Sequence, residues 1–119
     1  MWLFTRYGFY SIACARKPDN SIDPKLMMIR ARLLPHLKNL QQWFPALVDV
    51  EVVTLPARDY LYRLIVPKEI WAGIVTELAQ EQDWSNFKNE VARFQGTAGS
   101  DYIDALHEVW GVMHNLQGL

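Results

Sequence analysis

The sequence predicts an α+β domain: a four-stranded antiparallel sheet, built strand–strand–helix twice, with helices on one face and two further C-terminal helices. Three observations carry that prediction. The first sixteen residues, MWLFTRYGFYSIACAR, hold five aromatic side chains among β-formers, too apolar for a free surface. Two later stretches alternate apolar and polar residues with the period of a strand. Each pair of strands then runs into a proline, at Pro35 and at Pro67, where apolar residues switch to helical spacing.

Taken in order, the first strand either runs straight or bends at Gly8, where the missing side chain permits a bulge or tight turn. Lys17 to Lys25 (KPDNSIDPK) reads as a loop, because prolines, aspartates and an asparagine dominate it. From Leu26 to Leu33, Met27, Ile29, Ala31 and Leu33 share one side, and Met28, Arg30 and Arg32 the other. Pro35 opens a helix bearing Leu37, Leu40 and Phe44, which Pro45 must end. Val48 to Thr54 (VDVEVVT) alternates again as a third strand, with Asp49 and Glu51 on its wet side, and Tyr60 to Val66 forms the fourth. Pro67 starts a second helix with Ile70, Trp71, Ile74, Val75 and Leu78 as its stripe.

Ser85 to Gln95 makes a third helix capped by Asp83 or Ser85, and GTAG at Gly96 to Gly99 stops it. Ser100 caps the last helix, whose expected buried stripe is Ile103, Leu106, Trp110 and Met113 and which Gly118 can end.

Length and composition bound the rest. A chain of 119 residues, half of them hydrophobic, fits one domain over 1–119 without help from disulfides or metal. A lone cysteine, Cys14, reads as a buried small hydrophobe and favours a reducing compartment, hence a cytoplasmic location. No apolar run reaches the ~20 residues that span a bilayer, and Arg6 interrupts the N-terminal one before it can serve as a signal peptide. Net charge is −1, but it is unevenly spread. Met1 to Lys38 carries seven basic against two acidic side chains, +5, and the remainder five against eleven, −6.

MWLFTRYGFYS at the start, DWSNFKNEVARFQG at Asp83 to Gly96 and HEVWGVMHNLQ near the end resemble a family of small uncharacterised bacterial and phage-associated proteins that open with MWLFT. The resemblance runs nearly end to end. It implies a cytoplasmic single-domain protein and supplies no activity, cofactor or site residue.

Chemistry is sparse in the pattern. His107 and His114 sit about 10 Å apart along a helix, too far to share a metal ion. Asp104 and His107 are spaced for a hydrogen bond, which would suit a small hydrolase, but no nucleophile accompanies them. GTAG lacks the Lys and Ser/Thr of a phosphate loop. A non-catalytic binding module is therefore expected, with no cofactor, no metal and no membrane partner. Its expected contact face combines Arg30, Arg32 and Arg63 with Trp2, Phe4, Arg6 and Tyr10, provided Gly8 does not flip the register. Arginine, tryptophan and tyrosine are interface-core residues, so the first expectation is a protein partner or self-association. Nucleic acid or a nucleotide on the same face is the alternative. An acidic pI of about 6.3 and the two carboxylates of the third strand, which would pair with the arginines, weigh against it.

Overall fold

The N-terminal aromatic run is two strands rather than one, β1 (Trp2–Thr5) and β2 (Gly8–Arg16). Arg6 and Tyr7 turn the chain back, and Met1 and Ile12 exchange backbone hydrogen bonds of 2.8 Å across the hairpin. Gly8 has φ 154°, and a Cβ there would overlap the His36 ring, so the corner requires glycine. With β3 (Ile22–Ala31), β4 (Val53–Thr54) and β5 (Tyr62–Pro67), the sheet has five strands, not the expected four, in the order β1-β2-β3-β5-β4. The computed structural model describes residues 1–118, and these form two units. One comprises Met1–Phe4 with Gly8–Gln82, the other Thr5–Tyr7 with the chain from Asp83 onward.

In the first unit, the register aligns Ile12 with Ile29 and Ile29 with Leu64. These residues share a face with Tyr10, Ala31 and Val66, all of them buried. Helices α1 (Leu34–Trp43) and α2 (Lys68–Gln80) pack against these strands, burying Leu37, Leu40, Trp71 and Ile74. Each such side chain contributes roughly 1.5–3 kcal/mol. The Tyr10 hydroxyl donates to the His36 carbonyl at 2.7 Å, and His36 Nδ1 accepts from the Phe9 amide at 3.2 Å. Burial pushes the His36 imidazole down to about 4, so it is neutral at pH 7.

Strand boundaries depart from expectation: β3 ends at Ala31 rather than Leu33, β5 covers Tyr62–Pro67 rather than Tyr60 to Val66, and two departures are larger. Asp23, Pro24 and Lys25 belong to β3 rather than to a loop, because the β2–β3 register jumps between Cys14 and Ala15 and leaves the proline outside the ladder. The alternating VDVEVVT segment contributes only Val53 and Thr54 to the sheet. Gln41 Nε2 donates to the carbonyls of Leu47 at 3.1 Å and Val50 at 2.8 Å. The second of these, in the VDVEVVT segment, is a carbonyl a strand would have paired. Cys14 is half-buried rather than buried.

The second unit holds α3 (Phe87–Gln95) and α4 (Ser100–His114) around Thr5–Tyr7. Tyr102 donates its hydroxyl to the Thr5 carbonyl at 2.8 Å, and Gln95 Nε2 donates to the Arg6 carbonyl at 2.8 Å. The Tyr7 ring meets Phe94 edge-on at 5.0 Å. The cap of α3 is Asn86, which accepts from the Asn89 amide at 3.0 Å, and not Asp83 or Ser85. Ser100 is the first residue of α4, with Gly99 in the cap position, so its hydroxyl does not serve there. Short 3₁₀ turns at Pro45–Leu47, Gly96–Gly99 and Asn115–Gln117 take the helical segments beyond the expected four. Among the described residues no helix is long and apolar enough to cross a membrane.

Candidate binding face

On the sheet face opposite Tyr10 and Ile12, β3 and β5 bring Arg30 and Arg63 directly opposite each other. Like charges in that position repel by roughly 0.2–1 kcal/mol, so neighbours must hold them in place. Arg30 Nε donates to the Ser11 carbonyl at 3.2 Å and Nη2 to Ser11 Oγ at 2.8 Å, while its guanidinium lies 4.9 Å from the Tyr60 ring centre. Arg63 Nη1 approaches Met28 Sδ at 3.2 Å and Nη2 donates to the Tyr60 carbonyl at 3.5 Å. Its Nε is buried without a hydrogen-bond partner among the described residues. Burial, and after it the charges of Arg30 and Arg58, lower the Arg63 pKa below the usual guanidinium range. No carboxylate is paired with either side chain among the described residues.

Arg32 continues the cluster. Its guanidinium stacks 4.3 Å from the Tyr60 ring centre and 5.9 Å from that of Phe9. It meets Asp59 at 3.4 Å, but both side chains are well exposed, and such a pair contributes no more than about 1 kcal/mol. Beyond Arg32 the face turns aromatic: Phe4 stacks on Phe9 at 4.6 Å, and Trp2 stands edge-on to Phe9 at 5.8 Å. Trp2 is 69% exposed and Ile65, on the same face of β5, 42%. A three-guanidinium corner therefore adjoins an open aromatic corner.

Of the seven residues expected on this face, Trp2, Phe4, Arg30, Arg32 and Arg63 come together, and Tyr10 and Arg6 do not. The hairpin corner flips the register, so Phe9 faces the arginines while Tyr10 is wholly buried on the other side. Arg6 belongs to the second unit. There Nη1 donates to Glu90 at 2.8 Å, and its guanidinium lies 5.2–5.3 Å from the ring centres of Trp84, Tyr7 and Phe94. Arg93 also clasps Glu90. Hydrogen bonds from Arg93 and Arg6 hold the Glu90 carboxyl at about 2, well below the usual carboxylate range. Arg6 is thus a structural cation. Phe9 and Tyr60 were missing from the expected face, although a two-residue turn before Gly8 would have signalled Phe9.

Asp49 and Glu51 lie outside β4, so they do not line the sheet beside the arginines. His107 Nδ1 lies 3.1 Å from Lys88 Nζ rather than against Asp104, and no hydrogen bond joins Asp104 to His107 among the described residues. No group of three His, Cys, Asp or Glu is placed to hold a metal ion among the described residues.

Trp110 and Met113, expected in a buried stripe, are each 56% exposed, and only Leu106 of that stripe is buried. Comparison of the chain with protein-family models, with curated proteins and with solved structures returns no match.

Proposed function

We propose that the chain is a non-catalytic binding module whose sheet face takes an acidic surface of a partner protein. The opposition of Arg30 and Arg63, with no carboxylate against either among the described residues, supports this reading most directly. A partner carboxylate would relieve the repulsion and meet guanidinium donors already aimed by Ser11 and Tyr60. Trp2 and Ile65 offer the exposed apolar contact that an interface core needs.

A second reading, single-stranded nucleic acid, gains from one observation. The carboxylates that were expected to neutralise a phosphate site, Asp49 and Glu51, are not on the strand. Phosphates would then meet the arginine corner and a base could stack on Trp2.

The test is titration of the protein, at low and at physiological salt, with a polyglutamate peptide and with a single-stranded oligonucleotide of equal charge. The peptide should bind, and Arg30→Glu with Arg63→Glu should weaken it at least 100-fold. Tighter oligonucleotide binding with a steep salt slope replaces the first reading by the second. Binding of neither probe at low salt overturns both.

A further inference from the structure

The last helix carries an apolar seam that its own unit covers only halfway. Tyr102, Leu106, Val109 and Met113 follow one another at spacings of four, three and four residues, the repeat that keeps one helix face against another, and Leu116 in the 3₁₀ turn after α4 comes three residues later. Tyr102 and Leu106 are 6% exposed, but Val109, Met113 and Leu116 are 36%, 56% and 77% exposed. Val112, beside them, is 66% exposed. Trp110 is no loose side chain either. Its ring lies nearly parallel to those of His107 (6.3 Å, 10°) and His114 (4.9 Å, 7°), with Lys88 Nζ 5.7 Å from its centre. A tryptophan held flat in advance loses little freedom on contact, which suits an interface anchor.

We infer that the C-terminal half of α4 pairs antiparallel with the same segment of a second copy of this chain. The exposed seam and Trp110 present roughly 500 Å² of apolar surface, at the upper end of what a lone monomer carries. Two copies would cover about 1,000 Å², the size at which a specific contact begins. Charge selects the arrangement. Asp101, Asp104 and Glu108 all precede the exposed half, and no acidic residue follows them through Gly118. A parallel pair would set Glu108 against Glu108, whereas an antiparallel pair of these halves sets Glu108 against the acid-free end of the other copy. A lipid surface does not fit, because α4 contains no Lys or Arg to meet headgroups.

Light scattering and sedimentation of the full chain test the inference. A contact of this size should give a reversible dimer in the micromolar range, so the mass should rise from 13.9 kDa towards twice that value between about 1 and 100 μM. Met113→Glu lies at an exposed position, so it should leave the helical circular dichroism intact and hold the chain at monomer mass. Trp110→Ala should weaken the dimer at least tenfold. A single 13.9 kDa species at every concentration overturns the inference, and so does a dimer that Met113→Glu leaves intact. A dimer lost only in the Arg30→Glu, Arg63→Glu variant would place the contact on the sheet face and also overturn it.

Discussion

The chain contains two arginine clusters built from the same materials, guanidinium groups among aromatic rings, and they differ in one respect. Around Arg6 a carboxylate is present: Glu90 takes hydrogen bonds from Arg6 and Arg93, and the rings of Tyr7, Trp84 and Phe94 close over the cation. Around Arg30, Arg32 and Arg63 the rings are present, but the only carboxylate among the described residues is Asp59, exposed at the edge. In the first cluster the charge is paired with Glu90, inside the second unit. The second retains unspent positive charge and an open aromatic flank. Composition alone cannot separate a structural cation from a binding one; the location of the nearest carboxylate does.

The sharpest way to break this contrast is at the corner that creates it. Gly8 sends Arg6 to one cluster and Phe9 to the other. Gly8→Ala imposes a side chain at φ 154° and drives a methyl into the His36 ring. We expect a loss of at least about 3 kcal/mol in a urea melt. A loss below ~1 kcal/mol would show that the corner can be rebuilt.

Acid should weaken the two units in separate windows. The His36 imidazole titrates lower in the folded protein than in the unfolded chain, so the sheet unit loses stability as pH falls from 6.5 towards about 4. The Glu90 carboxyl is also depressed, to about 2. Its contribution is therefore complete above the unfolded value near 4.5 and is lost only as pH falls below that. Hydrogen exchange followed by mass spectrometry should find the β-strands opening first and α3 later. In Glu90→Gln the second step should disappear. Simultaneous opening would mean that the satisfied cluster is not what holds α3.

The smallest expected effect has the opposite sign. If Arg63 is kept for binding, relieving its opposition to Arg30 should cost the fold nothing. Arg63→Met should leave stability unchanged or raise it by roughly 0.5 kcal/mol, while binding of the polyglutamate peptide is lost. A destabilisation above ~1 kcal/mol would move Arg63 into the structural class with Arg6.

The α+β class, the strand carrying Arg30, and the helices beginning near Pro35 and Pro67 were legible from their periodicity, although that strand ends at Ala31 and leaves Arg32 and Leu33 in the bend before α1. Three features were not. The turn at Arg6 and Tyr7 carries no common turn dipeptide, so an unbroken aromatic run concealed a hairpin and reversed the expected parity along β2. VDVEVVT has a strand's pattern, but Gln41 takes the Val50 carbonyl, and that competition is visible only in three dimensions. The stripe of α4 was read correctly as apolar and wrongly as buried at Trp110 and Met113. Periodicity identifies the greasy side of a helix without saying whether anything lies against it.

The three residues at the hairpin corner have a consequence for the architecture as a genetic object. Thr5, Arg6 and Tyr7 are grouped with residues that begin 76 positions later, at Asp83. No single cut in the chain yields both units whole, because a fragment starting at Asp83 lacks the carbonyl that Tyr102 grips and the cation that Glu90 was built to hold. Insertions or deletions around Thr5–Tyr7 would thus be felt in α3 and α4, and the two segments must be inherited together.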